Sequence, residues 1–261
     1  GKVYLSIGTQ TTNSVLREAK GVVINEFDGP HPAGNVGVQI NHIKPVNRGE
    51  VVWALNALNV ALIGRVFNEG ITDLTRTVAL AGSEVKQKGY YTMLIGTELS
   101  SIFEGNVTEG ISLRYISGNP LTGRKIEKNG VLRAYDAQVT VIPEGDDVHE
   151  AFGWASFSPK RYSAGGTYLN LKKKYRMDAR LLGGPRAIIV SNEYDKVFPM
   201  DIFPEQLIKS TLAFNIDKME QLGIYEVAPE DFALCEFVDT SKLELQRIIR
   251  AGLDLFRKEM E

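Results

Sequence analysis

The sequence is poor in the side chains that hold metal ions. Its 261 residues include one cysteine, Cys235, and three histidines, His31, His42 and His149. A structural zinc site usually needs about four clustered Cys or His ligands, and an iron–sulfur cluster needs about four thiolates. We therefore predict no metal site, and we assign no catalytic residue. A single cysteine also excludes an intrachain disulfide, which suits a reducing compartment.

The common phosphate-binding loops are absent as well. No G-x-G-x-x-G follows a predicted strand, and no G-x-x-x-x-G-K-[ST] occurs anywhere in the chain. Gly29 and Gly34 have the spacing of a P-loop, but Asn35 and Val36 follow them. The lysine and hydroxyl that hold phosphate and Mg²⁺ are therefore missing. The sequence therefore indicates that this loop does not bind the phosphates of a nucleotide.

Long apolar runs and a strong net charge are missing too. The longest apolar run, 51–66, is interrupted at Asn56, Asn59, Gly64 and Arg65, whereas a membrane span needs about 20 mostly apolar residues. A net charge of −2 gives no basic field that would attract nucleic acid. We expect a soluble chain without nucleic acid, whose membrane contact is through a surface or a partner.

The first 70 residues have the pattern of an α/β unit. Apolar residues alternate in 2–7, and 22–27 forms a second apolar run. A stiff Pro/Gly loop follows at 28–34. Apolar residues at helical spacing predict a helix over 50–67 that ends at Gly70. Because the chain opens inside a predicted strand, we expect it to be part of a longer protein.

The middle of the chain has the pattern of a small α+β module. A strand is predicted over 77–81, with 90–93 as its hairpin partner across a turn at Gly89. A short helix is expected over 97–103. Alternation predicts further strands over 111–116 and 135–141, the second ending at Pro143.

The tail from about residue 194 has a helical pattern. Pro204 suits the first turn of a helix. Asp217 is predicted to cap a short helix that ends at Gly223. Ser241 and Glu244 have the spacing of a capping box before the last helix.

A basic stretch, 160–186, precedes this tail, and Asp178 is its only acidic residue. It favours two interpretations equally: docking on anionic headgroups or an acidic partner, or a solvated loop. Its cations are Lys160, Arg161, Lys172, Lys173, Lys174, Arg176, Arg180 and Arg186.

Two side chains have alternative roles. His31 suits a proton donor to a quinone or flavin, although a histidine hydrogen-bonded inside the turn is the preferred interpretation. Cys235 suits a redox thiol, but a small core side chain is preferred.

Several motifs together carry a family resemblance. They lie at 27–34 (FDGPHPAG), 78–82 (VALAG) followed by Val85 and Lys86, 116–123 (ISGNPLTG), 192–204 (NEYDKVFPMDIFP) and 231–235 (DFALC). In this order, and over nearly the whole chain, they resemble the A-subunit family of Na+-pumping NADH:quinone reductases. That family is similar in architecture to the flavin-site subunit of respiratory complex I and the C subunit of the Rnf complex.

The resemblance implies a multidomain α+β fold. Residues 1–72 would be the second half of a Rossmann-like α/β domain, and 73–127 an SLBB-like β-grasp module. A connecting strand and basic loop would occupy 128–187. Residues 188–261 would form a helical domain resembling a ferredoxin-type domain without its clusters.

The resemblance also locates where clusters would be held in the relatives. Their Cys-x-x-Cys runs correspond here to Ser191, Tyr194, Val197 and Phe198. Cys235 heads a second such stretch, which leads to Ser241 and Lys242. The resemblance therefore implies a retained scaffold that has lost its cluster ligands.

The implied function is that of a peripheral subunit on the cytoplasmic side of the bacterial inner membrane. It would support electron transfer from NADH to ubiquinone, coupled to Na+ export. FMN, FAD, riboflavin and Fe–S centres would lie only in partner subunits, including a membrane subunit beneath it. Gly29, His31 and Gly34 form a candidate quinone-facing loop. The fragment alone is expected to be inactive.

Two alternatives remain open from the sequence. The first is a subunit that itself binds NADH and flavin, like its relatives in complex I and the Rnf complex. The second is a non-enzymatic SLBB binding module.

Overall fold

The computed structural model describes residues 1–10, 13–146, 161–168, 171–172 and 174–260, the last without its side chain. It has a mixed α/β architecture and divides into two compact units. One comprises 1–54 with 185–261, and the other comprises 55–184. His149, and Lys160 and Lys173 of the basic stretch, lie outside the described residues.

The first unit opens with a two-stranded parallel sheet. Strands β1 (Tyr4–Gly8) and β2 (Val23–Phe27) are joined through the short helix α1 (Ser14–Arg17) and pair from Tyr4 opposite Val23 to Gly8 opposite Phe27. Both predicted strands are confirmed. Ile7 is buried, whereas Tyr4 and Val23 are exposed.

Helix α2 (Val36–Ile43) follows the Pro/Gly loop and was not predicted. It has eight residues and only two buried side chains, Val38 and Asn41. So short an apolar face gives little periodic signal.

Among its described residues, the first unit also contains four helices and three 3-10 turns. The helices are α5 (Pro204–Leu212), α6 (Ile216–Gln221), α7 (Ala233–Val238) and α8 (Leu245–Met260), and the 3-10 turns are Tyr194–Lys196, Ile224–Glu226 and Pro229–Phe232. Their buried apolar side chains form one core with Val38 of α2. Burial of this core is the main source of stability available to the tail, because burying an apolar side chain contributes about 1.5–3 kcal/mol.

The helix caps of the tail differ in part from the prediction. Pro204 stands in the first turn of α5, as predicted. The cap of α6 is Asn215, whose side chain accepts from Lys218 N, and not Asp217. Ser241 does not form a capping box with Glu244, because its hydroxyl donates to Ala187 O at 3.1 Å.

The second unit contains a mixed five-stranded sheet in the order β4–β3–β7–β5–β6. Strand β3 is antiparallel to β4 and parallel to β7, while β5 is antiparallel to both β7 and β6. The bounds are α3 Ala57–Glu69, β3 Thr75–Ala81, β4 Gly89–Leu94, α4 Ser100–Phe103, β5 Leu113–Ser117, β6 Arg124–Ile126 and β7 Gln138–Pro143.

The predicted β3–β4 hairpin is confirmed, but its turn is not at Gly89. Gly89 lies within β4, and the connection runs through 82–88. It leaves β3 at Gly82, where φ is +123° and an added Cβ would lie 2.6 Å from Val141 N. Only glycine fits this close approach. Strand β7, which the sequence assigned to the connecting segment, lies in the middle of the sheet.

Helix α3 begins later than predicted. Residues 51–56 are not helical, and the Asn56 side chain caps the helix by accepting from Leu58 N at 2.9 Å. Its predicted end at Gly70 is confirmed by a left-handed φ of 68°. Leu58, Ile63 and Val66 are exposed.

Within the part of the chain that the structure describes, no helix combines the length and apolar character needed to cross a bilayer.

Candidate functional site

The candidate loop 28–35 is held by hydrogen bonds within the loop itself. Asp28 Oδ1 accepts from Gly29 N at 3.0 Å, Pro30 O accepts from Ala33 N at 3.0 Å, and Pro32 O accepts from Asn35 N at 2.8 Å. These successive turns bring Gly29, His31 and Gly34 into one compact loop in front of α2. The stiff loop predicted from its prolines and glycines agrees with this geometry.

His31 lies on the exposed side of this loop. No hydrogen bond joins its ring to any other residue that the structure describes. The turn itself is closed by the amides of Gly29, Ala33 and Asn35.

The loop and α2 are tied to the helical tail by polar contacts. The Asn35 side-chain amide donates to Glu230 O at 3.3 Å, and the Asn41 amide donates to Glu226 Oε2 at 2.7 Å. Gln39 Nε2 donates back to Ala33 O at 3.2 Å, which fixes the loop against its own helix. The two contacts that reach the tail join residues 195 and 185 positions apart in the sequence.

Gly37 of α2 packs directly against the side chain of Asp231. A Cβ at residue 37 would lie 2.8 Å from Asp231 Cγ. Asp231 is 2% exposed, and burial raises the pKa of its carboxyl group to about 6. Its Oδ2 accepts from Ala228 N at 2.8 Å, whereas Oδ1 has no hydrogen-bond partner. Spacing gave no sign of this contact, although Asp231 begins one of the family motifs.

The first stretch that resembles a cluster loop is organised around a buried carboxylate. Glu205 of α5 is 2% exposed. Its Oε1 accepts from Ser191 N at 3.0 Å, Ser191 Oγ at 3.1 Å and Asn192 N at 3.0 Å. Three donors therefore converge on one oxygen, and the sequence gave no indication of this role for Glu205.

Large side chains fill the other positions of that stretch. Tyr194 and Phe198 are 1% and 5% exposed and belong to the core, and Val197 packs against it. The rings of Phe198 and Phe232 lie with their centroids 4.9 Å apart. The positions expected to correspond to cysteine ligands in the relatives thus contribute to apolar packing here.

The second stretch is built in a similar way. Cys235 is fully buried in the same core, as predicted, and burial raises the pKa of its thiol to about 12. Asp239 is 2% exposed, and its two carboxylate oxygens accept from Ser241 N at 2.9 Å and Leu243 N at 2.7 Å. A buried carboxylate again closes the loop.

Two cations of the basic stretch form ion pairs with carboxylates of the second unit. Arg176 donates from Nε and Nη2 to Glu84 at 2.6 and 2.8 Å, and Glu84 is 2% exposed. This bond is the main cause of the lowered pKa of Glu84. Arg180 pairs with Asp178 at 2.6 Å. The sequence identified Asp178 but missed Glu84, which lies 92 residues away. Lys172 and Lys174 remain exposed.

A second ion-pair cluster lies on the sheet itself. Glu144 accepts from Arg114 Nε at 2.9 Å and from Lys125 Nζ at 3.1 Å. The Arg114 hydrogen bond is the main reason that the pKa of Glu144 falls to about 2. This cluster links β5, β6 and the residue after β7, so its first role is to hold strands together.

Among the described residues, no three His, Cys, Asp or Glu side chains are grouped so that they could hold a metal ion.

Comparison with known proteins assigns the family. Residues 1–72 match the family model described as the NqrA second alpha/beta domain, and residues 77–128 match the SLBB model described as the NQRA C-terminal domain. The chain belongs to the NqrA family. Three of the motifs that suggested the family, at 27–34, 78–86 and 116–123, lie within these two matches.

Curated relatives extend the similarity beyond these two domains. The NqrA protein of the Na(+)-translocating NADH-quinone reductase from Pasteurella multocida is 36% identical over 99% of this chain and 58% of its own length. Its counterparts of the same name from Neisseria meningitidis serogroup A and Yersinia pestis are 35% and 36% identical, over 92% and 91% of this chain and 54% of their own length. This NqrA chain thus spans a little over half the length of these relatives.

Proposed function

We propose that this NqrA chain is a peripheral part of a Na+-translocating NADH-quinone reductase and carries no redox centre of its own. Flavins and iron–sulfur centres would lie in partner subunits, on the cytoplasmic side of the bacterial inner membrane. The curated relatives bear the name of that enzyme. The contribution of this chain would be a shaped docking body that supports electron transfer from NADH to ubiquinone.

One observation carries the proposal that the chain holds no cluster. Tyr194, Phe198 and Cys235 pack in the core, while Glu205 and Asp239 receive the amide donors of the two stretches. A cluster would need about four thiolates in that volume. We propose that the helical domain derives from a ferredoxin-type scaffold in which apolar packing and these carboxylates stand where cluster ligands would be.

The test of this first part is direct chemical analysis. The intact gene product, purified alone after expression with iron and riboflavin, should contain less than one tenth of an equivalent of iron or flavin. One equivalent of FMN or of a cluster bound to this protein would overturn the proposal. It would instead support the alternative of a subunit that binds NADH and flavin.

The exposed lysines near the end of the second unit are proposed to dock on an acidic face of a partner subunit. Lys172 and Lys174 are exposed, and the nearby Arg176 and Arg180 are held by Glu84 and Asp178. The two ion pairs fix the backbone close to Lys172 and Lys174, so the two lysine charges lie at a defined place on the surface. Opposite charges across an interface favour association.

Charge reversal tests this docking surface. The double variant Lys172→Glu and Lys174→Glu should lose co-purification with the membrane subunits, and the loss should begin at lower salt than for wild type. The matched control reverses two other exposed cations, Lys218 and Lys258, and should leave co-purification unchanged. Equal retention of both variants would remove the docking proposal.

The loop with Gly29, His31 and Gly34 is proposed to face the quinone. His31 offers an exposed imidazole on a loop fixed to α2, and imidazole exchanges protons near neutral pH. In the assembled enzyme, His31→Ala should raise the KM for ubiquinone, whereas His42→Gln, on the same helix–loop segment, should not. An unchanged KM in His31→Ala would show that the loop does not meet the quinone.

A further inference from the structure

The contact between α2 and the 3-10 turn Pro229–Phe232 contains an acid in an unusual position. Asp231 is 2% exposed, yet one of its carboxylate oxygens has no hydrogen-bond partner. An ionised carboxylate is costly to bury unless its oxygens are satisfied. The contact is therefore better suited to the neutral acid than to the anion.

The fit of α2 on this turn is close. Gly37 brings the helix backbone onto the carboxyl group with no side chain between them. The neighbouring Asn35 donates to Glu230 O, so the end of loop 28–35 is fixed to the same turn. A change in the charge of Asp231 thus acts directly on the first turn of α2 and on the loop before it.

The charges around Asp231 do not offset this burial. Its chain neighbour Glu230 adds a like charge, which raises the pKa of Asp231 further. The other packed elements bring no cation to it: α2 carries His42, whose Nδ1 is within hydrogen-bond distance of Val38 O, and α7 carries Cys235 and Glu236. All ionisable side chains of α8 whose exposure is described lie on its exposed side, namely Arg247, Arg250, Asp254, Arg257, Lys258 and Glu259.

We propose that Asp231 is a proton-sensitive latch, whose neutral carboxyl group holds α2 and loop 28–35 against the helical tail and whose ionised form loosens that contact. The positive end of the short helix α2 favours the anion only slightly. Burial acts in the opposite direction and is the main cause of the raised pKa. The latch does not depend on the identity of the ligand that the loop meets.

Linkage gives the size of the effect. With the latch closed, the pKa of Asp231 is about 6, against an ordinary value of 3.8. If opening restores the ordinary value, the equilibrium constant for opening rises by about tenfold between pH 5 and pH 7.5. The closed state is favoured at low pH, because an acid whose pKa is raised in the closed state binds its proton more tightly there.

Hydrogen exchange on the full-length protein tests the latch. Exchange of the amides in 28–41 is followed by mass spectrometry at pH 5, 6, 7 and 7.5 and corrected for the intrinsic pH dependence of exchange. Wild type should show the tenfold rise in opening. Asp231→Asn, which has the same shape and no charge, should keep its protection at every pH. Glu230→Gln is the control and should retain most of the rise, because Glu230 is the smallest of the causes that raise the pKa of Asp231.

Two results would overturn the proposal. One is a wild-type opening constant that does not change with pH, and the other is the same rise in Asp231→Asn. If Asp231→Asn fails to fold, titration of the wild-type carboxyl carbon by NMR decides the matter. A midpoint near pH 6 is expected, and a midpoint below about pH 5 excludes the latch, because the linkage would then be too small.

Discussion

The ion pair between Arg176 and Glu84 should be worth far more than an ordinary surface salt bridge. The guanidinium donates two hydrogen bonds, at 2.6 and 2.8 Å, to a carboxylate that is 2% exposed. In the variant Arg176→Ala, the side-chain donors left beside that carboxylate are Ser83 Oγ, at 2.9 Å, and Thr108, both of which are neutral hydroxyl groups. The perturbation thus leaves a buried charge with little compensation.

The magnitude follows from the two exposures. Removing one partner of a fully buried pair costs about 3–5 kcal/mol, mainly because the other charge is left buried. The Arg176 side chain is 58% exposed, so water replaces part of what it supplies. We expect Arg176→Ala to destabilise the second unit by about 2 kcal/mol. Adding Glu84→Gln should recover about 1 kcal/mol, since the unpaired charge is then gone.

Native-state hydrogen exchange of β3 and β7 is the suitable assay. A chain with two compact units need not unfold in one step, so a single urea midpoint would mix their stabilities, whereas exchange reports each region separately. The control is Arg65→Ala, whose ion pair with Asp73 has side chains 53% and 36% exposed and should be worth about 0–1 kcal/mol.

Acid gives a second check on the same pair. Arg176 is the main reason that the pKa of Glu84 lies below 4.5. The stabilisation from a lowered carboxyl pKa is present above the unfolded value and is lost as pH falls through the folded value. The difference between wild type and Arg176→Ala should therefore shrink on acidification below about pH 4. Equal effects of Arg176→Ala and Arg65→Ala, or a difference that does not change with pH, would refute the reasoning.

Three further outcomes follow from close packing and burial. In native-state hydrogen exchange of the first unit, Gly37→Ala should lower stability by about 1–2 kcal/mol, because its methyl group would overlap the Asp231 carboxyl group, whereas Gly34→Ala meets open space and should be nearly neutral. Glu205→Gln should cost about 1–2 kcal/mol in the same measurement, because three charge-assisted bonds become neutral ones; unchanged exchange of α5 would contradict this. Cys235 should not react with a thiol reagent at pH 8 until the chain unfolds, since burial raises its pKa to about 12, and rapid labelling of the native protein would be the contrary result.

Local signals in the sequence were sufficient for much of the secondary structure. Strands β1 and β5 follow apolar alternation, and β2 and β3 follow short apolar or β-prone runs. Helix α3 ends at Gly70 and α5 begins at Pro204, as their sequence signals indicated. Each of these signals depends on only a few neighbouring residues, so it can be recognised without knowledge of the fold. Errors arose where several cap residues competed, as with Asn215 and Asp217.

Contacts between distant residues could not be predicted in the same way. The parallel pairing of β3 with β7 joins Ala79 to Gln138, and Glu84 meets Arg176 across 92 residues. No local pattern distinguishes Glu84 from an exposed glutamate, because its burial depends on the sheet that forms around it. The contact of Asp231 with Gly37 was hidden for the same reason.

The two stretches that resemble cluster loops show how such hidden partners change the meaning of a motif. From the sequence, the two stretches were recognised only because the cysteines of the relatives are missing there. That observation does not show which groups replace the cysteines. In the structure, backbone amides of each stretch converge on a carboxylate from the chain itself, Glu205 for the first and Asp239 for the second. Converging amides stabilise a negative charge, so these carboxylates satisfy donors that would otherwise be left without partners. Restoring cysteines alone would therefore leave a carboxylate that still accepts hydrogen bonds from the backbone amides of each loop. In physical terms, the proposed loss of redox function is a replacement of ligand groups by internal hydrogen bonds and aromatic packing.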